Sequence, residues 1–358
     1  MTRTPPPPAE PFVPARAVGL WRDFRDAPVT TETRRIGLRR LRWFLALLWL
    51  VGLGLWVEVQ GPPLSLRDVL LWLSLAMLVA SVGNPLGWAK SMLLDWCPLY
   101  VLLVGYDIAH GLVDNLGIRE HVDPHLSFDQ AIFGGQGPTD LLQDWLWTGT
   151  ATWYDDVFFA LYLSHFVVTL AVCAILWIRA REGFLAFRRR VVGTWLVALV
   201  FFAAYPSVPP WMAAEQGHLP EMTRIVASLM GVASDQASAI LGEGDGRISL
   251  ANPVAAVPSM HAALPMVLLL FLWHRATWLR VLLAAYTLAM AFVLVYGGEH
   301  YLFDILAGWA CAAAVHSGWN AMEQRRKQRE SSQQLVDSPT DQRVPDMVSI
   351  YTVDATSR

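Results

Sequence analysis

Ala256-Val257-Pro258-Ser259-Met260-His261 and, some forty residues later, Gly297-Gly298-Glu299-His300-Tyr301-Leu302-Phe303-Asp304 decide how this chain is read. Each histidine stands at the mouth of an apolar stretch, and a titratable group in hydrocarbon is costly enough to be functional by default. The intervening length is what one membrane helix out and one helix back require. Such a hairpin returns both imidazoles to one membrane face.

The rest of the chain fits that setting. Of its 358 residues 54% are apolar and 16% charged, 17 are Trp, and the mean hydropathy is +0.38. That balance excludes an ordinary soluble domain and suits a polytopic membrane protein. A net charge of -3 says little about partners, and nothing points to nucleic acid. Apolar windows near 41–59, 66–84, 92–112, 156–178, 191–206, 257–274, 278–297 and 300–320 predict an all-α membrane bundle of eight transmembrane helices.

Basic residues orient the bundle. Arg34, Arg35, Arg39, Arg40 and Arg42 precede the first span; Lys90, Arg179, Arg181, Arg188 to Arg190, Arg275, Arg280 and Arg325 to Lys327 all fall on the same side. Both termini are then expected in the cytoplasm, with loops 113–155 and 207–256 and the two histidines on the extracytoplasmic face. Residues 1–40 and 321–358 are expected to be disordered cytoplasmic segments around a transmembrane catalytic domain, 41–320. The first span is expected to act as the targeting signal, with no cleavable leader.

Asp304 lies four residues after His300 and so on the same helix face. A carboxylate there can accept from one imidazole nitrogen, fix the tautomer and leave the other lone pair free, which makes His300 a candidate nucleophile. His261, at a helix start behind Pro258 and Ser259, is a candidate acid for a leaving oxygen. The Ser259 hydroxyl either holds a phosphate oxygen or serves as a plain N-cap.

At these residues the chain resembles the type 2 phosphatidic acid phosphatase superfamily, whose second motif is Pro-Ser-x-His and whose third ends in His, three residues, then Asp. The resemblance implies a six-helix phosphatase-like core, His261 as the acid, His300 as the residue that forms a phosphohistidine and Asp304 as its orienting carboxylate. The family's first motif, a Lys and an Arg-Pro that clamp phosphate, has no clean counterpart, and Gly297-Gly298-Glu299 replaces the usual Ser-Arg opening of the third. Arg247 and Arg224, in the outer loop, are the candidate replacements, since a guanidinium binds phosphate oxygens bidentately; a solvated loop position is the alternative for both.

Over roughly residues 90–310 the chain is more closely similar to the inositol phosphorylceramide synthase branch and its bacterial relatives. Asp95-Trp96-Cys97-Pro98, Tyr106-Asp107, Phe133-Gly134-Gly135 to Pro138, Tyr162 with His165, Tyr205-Pro206 and Pro209-Pro210-Trp211 carry this likeness. Tyr106, Asp107 and His110, at the outer end of the third span, are candidates for an acceptor or head-group pocket, or else a helix-end polar group. His165, about three turns into the fourth span, either lines the site or makes a structural hydrogen bond. Trp211 is expected at the lipid interface or as a head-group wall. Asp155 and Asp156 are expected to mark a helix start.

The acids of loop 113–155, Asp114, Glu120, Asp123, Asp129, Asp140 and Asp144, lack metal-ligand spacing, so a solvated or re-entrant loop is expected and no metal or cofactor. Cys97, Cys173 and Cys311 sit in separate apolar spans as small hydrophobes. A metal-dependent CDP-alcohol phosphotransferase would need a paired-Asp helix signature that is absent, and a transporter would gather polar groups at the membrane midplane rather than at one interface. The expected function is a metal-independent membrane phosphotransferase that moves a phospho-head group from a membrane lipid to a small alcohol or lipid acceptor, with release of phosphate to water and transport as the alternatives.

Overall fold

The computed structural model describes residues 32–60, 66–83, 85–115, 121–231 and 255–337. Twelve helices occur among them: α1 Glu32–Gln60, α2 Leu66–Ser81, α3 Pro85–Asn115, α4 Asp123–Ile132, α5 Pro138–Leu146, α6 Trp153–Arg179, α7 Arg181–Ala204, α8 Pro210–Glu215, α9 Ile225–Met230, α10 Met260–Leu272, α11 Thr277–Tyr296 and α12 Leu302–Asp337. The protein is an all-α membrane bundle. Each of the eight expected apolar windows falls on its own helix, whereas α4, α5, α8 and α9 lie in the two loops read as outer.

Among the described residues three stretches, Ile36–Val59, Trp153–Arg179 and Thr277–Tyr296, are long and apolar enough on their own to cross a bilayer. The others depart from that standard for visible reasons: α10 has 13 residues, α7 opens on an arginine-rich turn, and α12 continues into a polar stretch. Two compact units divide the chain, Met1–His316 and Ser317–Arg358. The second is helical as far as Asp337, past the expected domain end at 320, with an Arg326–Glu330 pair one turn apart. All site residues belong to the first.

Local chemistry fixes the helix starts. Thr152 and Asp155 cap α6, the Thr152 amide donating to the Asp155 carboxylate at 2.8 Å, so Asp155 does mark a helix start. Gly137 and Asp140 do the same for α5, with Pro138 in its first turn. Ser259 caps α10, its hydroxyl oxygen accepting the Ala262 amide at 3.3 Å. The start of α12 is capped from a distant segment: Asp129 on α4 accepts the Leu302 amide at 2.8 Å and the Phe303 amide at 3.1 Å.

Among the described residues the interior holds three apolar clusters, the smallest formed by Val122, Val208 and Ala213 beside the loops; the two larger ones join the long helices. One joins α3, α6, α7 and α10 through Trp96, Trp177, Phe184, Phe187, Trp195 and Val267; the other joins α6, α10, α11 and α12 through Tyr162, Phe166, Ala262, Met290, Leu294 and Ile305. On α1, by contrast, Trp43, Phe44, Leu47, Leu55 and Val59 are all exposed, as a lipid-facing helix requires. Trp72 of α2 packs edge-on against Trp49 and Trp56 of α1.

At the end of α3, α6 and α7 away from the histidines, α6 turns into α7 through Ala180 alone. Buried Asp95 secures that turn: Arg181 reaches its carboxylate twice, at 2.8 and 2.6 Å, the Trp177 indole donates to it at 2.9 Å, and Arg188 donates to its backbone oxygen. Asp95-Trp96 therefore carries the branch likeness through packing, not through the site.

Candidate active site

The hairpin of α10 and α11 places His261 in the first turn of α10 and His300 between α11 and α12, with ring centroids 5.8 Å apart. Gly298, at φ 75°, makes the turn that leads from α11 to His300, a conformation that favours glycine. Close packing of α12 on the start of α10 completes the arrangement. The Ser259 amide donates to the Asp304 carbonyl at 3.0 Å. At Gly308 an added Cβ would lie 2.4 Å from the Ser259 carbonyl oxygen, so only glycine permits that approach.

Asp304 is wholly buried and accepts from three sides: His300 Nδ1 at 3.4 Å, the Tyr301 amide at 3.0 Å and His125 Nδ1 at 3.0 Å. An ionised carboxylate only accepts, so in both bonds the imidazole Nδ1 is the donor, and a neutral ring in that tautomer has its lone pair on Nε2. The His300 bond is long for the ground state, and such bonds tighten when substrate is bound. His261 lies in an aromatic stack, 4.9 Å from the Tyr162 centroid and 4.0 Å from that of His165. Neither His261 Nε2 nor His165 Nδ1 has a protein partner among the described residues.

The other candidates are distributed as follows. Ser259 is buried and its hydroxyl oxygen caps α10, leaving the O–H free in direction to donate. Arg224 is buried and grips Glu299, the residue before His300, through two bonds of 2.9 and 3.1 Å, so its charge is already compensated. Trp211, expected at the lipid interface, is buried against protein instead: its face carries the Arg224 guanidinium 4.1 Å from the ring centroid, and its amide donates to the Gly298 carbonyl. Arg247 lies outside the described residues, and Tyr106, Asp107 and His110 sit on the α3 backbone with side chains outside them.

Sequence reasoning passed over His125 and weighed Asp129 only among the acids of a loop expected to be solvated or re-entrant, and both belong to the site. His125 and Asp129, on α4, are wholly buried. Burial pushes the Asp129 carboxyl up to about 6, the Asp304 charge adding to the effect while the Leu302 and Phe303 amides and His125 oppose it. Asp140 is raised by burial as well, against its bond to Gly137. Their signal was in plain view: His125 and Asp129 stand four apart, the spacing of His300 and Asp304. Among the described residues no group of three or more His, Cys, Asp or Glu is arranged to hold a metal ion.

Three loop segments are pinned beside this site. The His121 amide donates to Pro206, the Val208 amide to His121 and the Ala256 amide to Ser207, while the Ser207 hydroxyl accepts the Val257 amide at 3.1 Å.

These features define a polytopic helical membrane protein whose site is a histidine pair backed by a buried carboxylate. A model described as the PAP2 superfamily matches residues 135–317, just over half of the chain, and the chain belongs to that superfamily. It is also similar to a curated relative, the phosphoinositol dihydroceramide synthase of Bacteroides thetaiotaomicron, at 33% identity over 132 residues, 34% of this chain and 41% of the relative. The chain thus spans about two fifths of that relative's length. No solved structure matches it.

Proposed function

We propose that this protein is a metal-independent membrane phosphotransferase that moves a phospho-head group, inositol phosphate or a similar one, from a membrane lipid to an alcohol acceptor in two displacements. In the first, His300 Nε2 attacks phosphorus; the bond to the lipid oxygen breaks, and that oxygen takes the pair and a proton from His261. In the second, His261 accepts the proton of the acceptor hydroxyl while its oxygen attacks the phosphohistidine, and the P–N pair returns to Nε2. Asp304 holds the Nδ1–H of His300 throughout and stabilises the imidazolium.

The observation that carries this reading is the meeting of His261 and His300 at 5.8 Å with Asp304 within reach of His300 Nδ1. Phosphate oxygens at the first turn of α10 would face amide N–H groups and the Ser259 O–H, with Arg247 as the candidate cation. The name of the bacterial relative favours transfer over hydrolysis. The reading also sets the catalytic domain at 41–320, the site on the extracytoplasmic face and both termini inside.

The test uses the full chain in detergent with phosphatidylinositol and a fluorescent dihydroceramide. A fluorescent inositol-phosphate lipid and a trapped, acid-labile phosphoenzyme are expected, and both should vanish in His300→Ala. Inositol phosphate released to water with no fluorescent product would make the protein a hydrolase. Turnover that survives in His300→Ala would end the phosphohistidine scheme.

A further inference from the structure

Asp304 is approached by a second imidazole that the two displacements do not use. His125 reaches Oδ1 at 3.0 Å, a shorter bond than the 3.4 Å that His300 makes to Oδ2. It comes from α4, 179 positions away in sequence, and is wholly buried. Aromatic rings fix its plane: Tyr301 stacks at 5.7 Å, Phe303 meets it edge-on at 5.3 Å and Tyr205 lies at 5.5 Å. Asp129, one turn along α4, holds the Leu302 and Phe303 amides, so α4 grips the segment next to His300 twice. His125 Nε2 has no protein partner among the described residues.

We propose that His125 is a positioning residue that holds the second oxygen of Asp304 and thereby sets the orientation and basicity of His300. The inference rests on His300 being the nucleophile. A carboxylate that accepts from two imidazoles and an amide spreads its charge over three bonds, so it pulls less on the His300 proton than it would with His300 alone. It is also unable to rotate, which keeps Oδ2 on Nδ1 and Nε2 turned toward the substrate. Its neighbours that carry charge or titrate are Asp129 on α4, Tyr205 at the end of α7, His121 stacked on Tyr205, and Tyr301 and His300 ahead of α12.

The experiment reads His300 directly, on the full chain in detergent, by the rate at which diethyl pyrocarbonate acylates it across pH, followed by peptide mass spectrometry. His125→Leu keeps the bulk and removes the donor; His125→Asn puts an amide N–H where Nδ1 stood. With the donor gone the Asp304–His300 pair holds its proton more tightly. The acylation midpoint in His125→Leu should therefore rise by about one pH unit or more, the equivalent of a hydrogen bond to a charged group. Turnover of phosphatidylinositol should fall about tenfold in kcat with KM unchanged, and His125→Asn should restore both.

A wild-type midpoint and kcat in His125→Leu overturn the proposal, as does His125→Asn behaving like His125→Leu. Should His125→Leu fail to fold, a midpoint in His125→Asn shifted from wild type would overturn it and an unshifted one would support it. His300→Ala separates the two layers: activity retained there removes the nucleophile reading beneath, while a dead His300→Ala with an indifferent His125→Leu removes only this inference.

Discussion

Asp129 offers the sharpest stability test, because one carboxylate caps a helix that starts 173 residues away and does so at a protonation cost. Its two bonds, at 2.8 and 3.1 Å, satisfy the Leu302 and Phe303 amides. Asp129→Ala orphans both N–H groups, at about 1–3 kcal/mol each. Asp129→Asn keeps one acceptor and removes the titration. In the wild type the carboxyl is raised from 3.8 to about 6, so the folded state holds the proton more tightly than the unfolded chain. Stability from this group is therefore greatest below about pH 4, declines as pH rises through 6 and is flat above, an effect of at most about 3 kcal/mol that solvent screening reduces. Thermal unfolding of wild type and Asp129→Asn, measured side by side in detergent between pH 7.5 and 4, should show the gap moving in favour of wild type as pH falls, by roughly 2 °C per kcal/mol. Other titrating groups cancel in the difference. A gap that stays constant or moves the other way refutes the argument.

Gly308→Ala should force α12 away from the Ser259 carbonyl, lowering the unfolding temperature and cutting kcat at least tenfold, since the displaced backbone carries Asp304; wild-type kinetics would show that the approach is not needed. Asp95→Ala removes the carboxylate that Arg181 and the Trp177 indole share, and should lower thermal stability while sparing KM, because this turn lies at the end of α6 away from the histidine pair. Activity should survive EDTA if, as proposed, the histidines make the bonds and move the protons; loss on chelation with recovery on adding Mg²⁺ or Mn²⁺ would redirect attention to the acids of loop 113–155.

How much could be read without coordinates depends on how far each interaction reaches along the chain. Helices spaced by hydropathy, and His300 with Asp304 one turn apart, are local facts and were legible. That His261 and His300 meet followed from the length of one hairpin. His125 is different: its partner is 179 residues away, and no local rule joins them even though its own spacing to Asp129 repeats the motif. Trp211 was assigned to the lipid interface, with a head-group wall as the alternative, because that is where Trp often lies; it is buried, with Arg224 arriving from another loop segment to lie over its ring. The continuation of α12 to Asp337 escaped because a polar helix leaves no hydropathy signal.

The single-residue bridges through Ser207 carry an implication for variation among such proteins. His121, ahead of α4, and Ala255, ahead of α10, are both tied to the same short segment. Whatever length or composition lies beyond those ties, the backbone on the site side returns to a fixed position. Loop sequence can thus be exchanged, by drift or by grafting, without re-aiming the histidines, so that variation in what the loops carry and constancy of the histidine pair become separable problems for selection and for the engineer.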